Sequence, residues 1–536
     1  MFHQVLNPLG NMGLTLVAAL IPVVLLLFLM AVVRMTAWLT VVISSVVTII
    51  IAIVVWHVPF GTGMAAYWWG GLTGIWAVDW ITFWGVVMYY TLNYTGLFEI
   101  FRKWLIQQAT ADVRVQAILL AWAFGALLEG LVGFGYPWAV VGPILMTLGI
   151  ADLDALRVTA IANNAPVSYG AMGAPIITLA AVTGLPLMSL SASVGNIVAV
   201  LALAPPWILI YLVAGRKGIK DAWPLAIVAS FSYILGQWPV AHYLGPYLPD
   251  ISGAIVSFVC ILLFLKVWRP KQILGYGGQE VDPARIRKAE GESLSTGDVL
   301  KAWLPFAILV VVVLAGTGPW SKLPGLSLFM ASVKGLSSIT HKPVAVAFNW
   351  NIFAGGTWIL ISWLIVVLLF ANKSFRVLGE VFKKTFAQMW GALLVGFFIF
   401  GLANLFNFSG MASSMAYAFS KVGPVYIILA PILGWIGVAL SGSNTSTNAM
   451  FGGFQAMVGK LLGAPVLLFP SLNSVGAEVG KPVAPQTASV GVSTTGFTRN
   501  EGEVIRHNMG WTLIALAYLI VIGVLYYVLA PGAMRL

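Results

Sequence analysis

The chain has 536 residues, of which 60% are hydrophobic and only 8% charged, where soluble domains carry about a quarter. Its one cysteine, Cys260, excludes a disulfide framework and a cysteine-based metal site. The net charge of +11 sits in loops between apolar runs, so it points to orientation in a bilayer and not to nucleic acid.

The N-terminal MFHQVLNPLGNMG lacks a basic n-region, so the first apolar run is expected to stay as a span. A crossing takes about 20 mostly apolar residues. The expected crossings are 14–33, 36–57, 74–95, 158–183, 187–214, 222–241, 251–268, 302–318, 352–371, 385–408, 466–495 and 510–530. Asp79, in WAVDW within the third of these, is read either as a second titrating site or, as its tryptophan neighbours favour, as a residue at the membrane interface. Segments 116–150 and 424–460 are too long and too interrupted for one helix, and read as re-entrant hairpins. The polar stretch 269–300 reads as a cytoplasmic loop and 319–350 as an external one, each too small for a core of its own. His507, beside Arg506, is expected in a loop.

With the N-terminus outside, Arg34, Arg102, Lys103, Arg114, Arg216, Lys217 and Lys220 fall on the cytoplasmic side. So do the basic residues of 266–301, 373–384 and 499–506. The loop 319–350, with Lys322, Lys334 and Lys342, is the exception. The expected fold class is an all-α polytopic membrane protein of about twelve transmembrane helices plus two re-entrant hairpins.

Two stretches inside the hairpins break the hydrocarbon rule. LLEGLVGFGYPWAVVGP runs from Leu127 to Pro143, and LSGSNTSTNAMFGGF from Leu440 to Phe454. Irregular backbone at membrane depth survives only where it is buried in protein or lines a wet cavity, and such interruptions in both halves point to a carrier's binding site. The halves also echo each other. Asn93-Tyr94-Thr95-Gly96 ends one span and Asn407-Phe408-Ser409-Gly410 another, and Gly410 lies 314 positions after Gly96. A broken hairpin follows each, and then a second broken segment, NNAPVSYGAMGAPI at 163–176 and NSVGAEVGKPVAPQTASVG at 473–491. The expectation is one integrated membrane domain, 1–536, containing an inverted-topology repeat: repeat 1 at about 60–215 with hairpin 116–150, and repeat 2 at about 375–530 with hairpin 424–460.

LLEGLVGFGYP, NAPVSYGAMGAPI, SGSNTSTNAMFG and GKPVAPQTASV, in this order and spacing, resemble the characteristic blocks of the L-lactate permease family. The resemblance runs over nearly the whole chain. It implies proton-coupled symport of L-lactate or a related 2-hydroxymonocarboxylate (glycolate, D-lactate) across the cell membrane. The chain departs from the family pattern at Asn444, where an acid is usual, and at Tyr136 and Trp138, where smaller residues stand. The first departure bears on the coupling ion and its stoichiometry and the second on the size of substrate accepted; the alternative is a sodium-coupled or dicarboxylate carrier of the same architecture.

Chemistry nominates the site residues. A carboxylate at membrane depth must find a cavity, a partner or a proton, which makes Glu129 the expected proton-coupling group; its alternative role is to cap hairpin amides. Lys481 is read either as counter-charge for a substrate carboxylate, or as a partner of nearby Glu478 or a lysine snorkelling to the interface. Ser443, Asn444, Thr445, Ser446 and Asn448 supply neutral donors at a broken helix, where unpaired amides favour an anion. Asn163, Asn164 and Ser168 do likewise in the other half, and Gln486 is placed to read a substrate hydroxyl. Gly130, Gly133, Gly135 and Gly442 are expected to form the hairpin backbone. No cofactor or metal is implied. The partners are a small carboxylate anion, a proton and the lipid bilayer, with no nucleic acid. An enzyme is disfavoured, because no histidine lies in an apolar segment to serve a serine nucleophile, and no GxxxxGK[ST] loop supports primary pumping.

Overall fold

The computed structural model describes residues 2–108, 110–133, 135–281, 294–492 and 501–536. Parts of the expected 269–300 loop (282–293) and of the 466–495 span (493–495), as well as Arg499, lie outside the described residues. Among the described residues, ten helices are long and apolar enough to cross a membrane, or eleven counting one bent pair, with Gly355–Leu369 a shorter apolar helix. Lipid offers the backbone no hydrogen bonds, so apolar runs satisfy themselves as helices even when rich in β-branched residues. Ala37–Val54 is such a run, and within it the Thr48 hydroxyl donates back to the Ser44 carbonyl at 2.6 Å.

The fold class is the expected polytopic helical one, with different boundaries. The expected third span begins earlier, in the apolar run Phe60–Tyr94, where a π-helical turn covers Ile75–Asp79. The expected pair 187–214 and 222–241 is one 57-residue run, Leu187–Tyr243, too long for a single crossing. Gly215, at φ 63°, breaks it, so two crossings remain. Ala371–Ser409 starts with a basic polar front, Lys373 to Lys384, before its apolar part.

The hairpins sit at the centre of the molecule. Val113–Leu131 is 100% buried along its apolar window, against 28% for the peripheral Glu501–Leu529. This first arm is long enough to cross, and its second arm, Tyr136–Thr147, is short. The turn between them uses Gly133 at φ 69° and Gly135 at φ 77°, a conformation that side chains resist. In the other half, Tyr426–Ser441 ends at Gly442 (φ 75°) and Asn444–Leu461 follows. Each hairpin is followed by a broken segment: Asp152–Ala162 with Val167–Thr183, bent by 67°, and Leu468–Gly480 running through a 3-10 turn into Pro485–Val492.

The 319–350 loop carries structure that composition did not announce. Strand β1 (Phe2–His3) pairs in parallel with β2 (Ser327–Leu336), which pairs antiparallel with β3 (Pro343–Asn351). The N-terminus and this hairpin therefore share one side of the membrane. On loop connections elsewhere, Arg114 is fully buried and joins Asp112 at 2.7 Å, Asp221 at 3.2 Å and the carbonyl of Gln272 at 2.8 Å. It staples three segments together and is no free loop charge. His507 is helical, not in a loop, and its Nε2 lies 2.8 Å from Asp154, which also pairs with Arg157 and accepts from the Tyr276 hydroxyl.

Candidate substrate and coupling site

A cavity of about 440 Å³ opens between the hairpins and the helices Phe60–Tyr94 and Ala371–Ser409. Glu129, Gly133, Gly442, Ser443, Asn444, Thr445, Ser446, Lys481 and Gln486 all line it. Residues separated by more than 350 positions thus meet at one wall.

At that wall Lys481 Nζ lies 2.6 Å from Glu129 Oε1, with both side chains buried. Lys481 pairs with Glu129, a partner that the sequence did not suggest, and not with Glu478. The contact depends on a missing side chain: a Cβ on Gly170 would come within 2.8 Å of Glu129 Oε1. The Glu129 Oε2 atom accepts from Asn163 Nδ2 at 3.3 Å. A buried ion pair is costly to make and far costlier to break on one side, because the survivor is stranded in low dielectric.

The second hairpin presents a helix start to the cavity. Ser443 caps Asn444–Leu461, its hydroxyl accepting from the Ser446 amide at 3.2 Å. The amides of Asn444 and Thr445 precede any intrahelical acceptor, so this end favours an anion. Gly442 lets the Gln486 amide oxygen come within 2.5 Å of where a Cβ would stand.

The remaining contacts of the nominated residues run from the wall into the packing behind it. Asn448 Nδ2 donates to the Pro175 carbonyl and to Ser474 Oγ, both at 3.0 Å, tying the second hairpin to the broken segments. The Ser168 amide donates to Glu478 Oε2 at 3.0 Å, and its hydroxyl meets Ser474 Oγ at 3.3 Å. Asn164 is buried with its Oδ1 unpartnered. Gly130 is helical and makes room for Asp250, and Gly135 turns against Thr487. Asn444 donates to the Ser474 carbonyl at 3.1 Å. Tyr136 donates to the cavity residue Gln388 at 2.8 Å, whereas Trp138 is buried against Leu156 and Gly491 and does not line the cavity.

Three acids were missed or misplaced by sequence reasoning. Asp79, expected at the interface, is 6% exposed and lines the cavity. The tryptophans that suggested a belt stack on each other instead, Trp76 on Trp80 at 5.2 Å. Glu478 is fully buried, and its position in an apolar segment was a usable signal. Asp250, in YLPD, was not singled out; it is buried and accepts from the Tyr233 hydroxyl at 3.0 Å.

Residues 15–531 match the family described as L-lactate permease. The chain belongs to the L-lactate permease family. Relatives of this permease-family chain include the glycolate permease GlcA of Escherichia coli (strain K12), 33% identical over 95% of each chain. The L-lactate permease of Salmonella typhimurium is 30% identical over 96% of each, and that of Bacillus subtilis 30% over 98%. Among solved structures, the Alcanivorax borkumensis YdaH transporter, whose topology is described as unusual, aligns over 88% of this chain and 87% of its own. The identity there is 15% and the TM-score 0.43. This permease-family chain is an integral membrane transporter, not an enzyme.

Proposed function

We propose that the chain is a secondary carrier that moves L-lactate or a related 2-hydroxymonocarboxylate, such as glycolate or D-lactate, together with a proton. The observation that carries this reading is the buried Glu129–Lys481 pair in the cavity wall. Lys481 is also the one cationic side chain among the described residues lining the cavity, which balances a single carboxylate and not two.

Charge explains the coupling. Empty, the Glu129–Lys481 pair is neutral. A proton on Glu129 frees Lys481, and a substrate carboxylate on Lys481 restores neutrality. Either ligand alone leaves a net charge at membrane depth, which is expensive to carry through a closed state. Only the empty and the doubly loaded forms cross cheaply, so proton and anion travel together. The capped start of Asn444–Leu461 supports the anion, and Gln486 is positioned to bond the 2-hydroxyl. In this reading the two repeats are inverted, about 60–215 against 375–530, with the N-terminus outside and the chain in the cell membrane.

The test is uptake of labelled L-lactate into proteoliposomes under an inward proton gradient without sodium. Uphill uptake that collapses with a protonophore is expected, and glycolate and D-lactate competition then ranks the substrates. Folded protein that takes up lactate only with sodium, or not at all, would overturn the proton–lactate reading.

A further inference from the structure

Glu129 is not the only carboxyl in the cavity wall. Asp79 lines the same cavity from the π-helical turn Ile75–Asp79, held between helices that carry neither hairpin. It is 6% exposed, its Oδ2 is buried without a partner, and no hydrogen bond or ion pair reaches its carboxyl among the described residues. The carboxyl lies over Gly396, where any Cβ would overlap it.

The charged surroundings are sparse on every side. Phe60–Tyr94 holds no other charged residue, only the tyrosines Tyr67, Tyr89, Tyr90 and Tyr94. Gly355–Leu369 and Val167–Thr183 hold no charged residue, and Tyr169 is the one tyrosine between them. The charges of Ala371–Ser409 end at Lys384, twelve residues or about 18 Å of helix before Gly396. Across the cavity stand Glu129 and Lys481, engaged with each other.

A carboxylate in this setting has no side-chain partner among the described residues. A form of the cavity closed to water would leave that charge unsupported at membrane depth. A metal cation would need several oxygen ligands here, whereas a proton needs none beyond the carboxyl itself. We infer that Asp79 is a second proton site of the carrier, which must be loaded for the cavity to close, whether substrate is bound or not. Asp79 then carries its proton in both directions and adds nothing to the proton:substrate ratio, but it sets the pH range in which the carrier turns over.

The inference rests on the carrier reading and separates from Glu129 by exchange kinetics. Lactate–lactate exchange in E129Q requires no proton at residue 129, so any remaining pH dependence reports another group. The expected result is exchange in E129Q that falls about tenfold per pH unit on its alkaline limb, one proton per transit. In E129Q/D79N it should stay flat within about twofold, because Asn mimics the loaded acid. Exchange in E129Q that is already flat, or an unchanged alkaline limb in E129Q/D79N, would overturn the inference. If D79N does not fold, E129Q/D79E decides: a displaced limb supports Asp79, and an unmoved one removes it. If folded wild-type protein does not exchange lactate, the same series is run with glycolate, and absence of both exchanges would instead count against the carrier reading.

Discussion

At the residue scale, the molecule turns on a pair of opposite charges that lie 352 positions apart in the chain. In E129Q the empty carrier is left with an unpaired Lys481 and bears a positive charge, while the substrate-loaded form is neutral. Proton-driven accumulation should therefore be abolished and exchange of preloaded lactate spared, which paired uptake and counterflow assays on one preparation would read. Equal loss of both would show that Glu129 is structural. K481M removes the counter-charge itself. A charge-assisted hydrogen bond is worth about 1.5–3 kcal/mol, so the apparent KM for lactate should rise about 10- to 100-fold, and an unchanged KM would place the anion elsewhere. Glu129 was legible because an acid in LLEGLVGFG has few other uses. Its partner was not, since Lys481 stands three residues from Glu478, and sequence proximity made that the obvious alternative.

At the element scale, broken helices position the groups, and glycines do so in two distinguishable ways. Gly442 sits at φ 75°, so G442A forces a side chain into the left-handed region at a cost of about 1–2 kcal/mol and also crowds Gln486. A lower melting temperature in detergent is expected. Gly170 has an ordinary φ of −59°, and the three atoms nearest to an alanine Cβ there all belong to the Glu129 side chain. G170A should keep the melting temperature within a few degrees of wild type and lose most proton-driven uptake; normal uptake would show that Glu129 tolerates displacement. Peripheral contacts titrate too. Burial, and then the bond to Asp154, push the Tyr276 phenol up to about 12. Its folded value exceeds that of the unfolded chain, so its contribution to stability is complete below about pH 10 and is lost as pH rises through about 12. Melting curves of Y276F should lack that alkaline component. Hairpin positions were readable because Gly and polar clusters interrupt apolar runs. The break at Gly215 was readable too, between the expected spans 187–214 and 222–241, whereas the π-turn at Asp79 was not, because Ile75–Asp79 itself holds no glycine, proline or polar cluster.

At the scale of the whole molecule, orientation is the open geometric statement with the simplest test. β1 fixes the N-terminus and the loop around Lys342 to one side, and Lys271 belongs to the loop assigned to the cytoplasm. In a Cys260→Ser background, Lys342→Cys should react with an impermeant maleimide on intact cells, and Lys271→Cys only after permeabilisation. The reverse pattern would turn the carrier over. Composition by itself determined that this is a polytopic helical membrane protein, because lipid admits no other use for so many uncharged apolar runs. The interrupted segments located the hairpins, and the resemblance in their motifs pointed to the family. Only the tertiary structure decided which charges meet: it paired Lys481 with Glu129, withdrew Arg114 from the loop charges into a buried staple, and brought Asp79 from an expected interface to the cavity wall. The physical reason is that apolar periodicity specifies that a helix is buried in the membrane but not which neighbour covers each face, and at low dielectric the identity of that neighbour fixes what a charge can do.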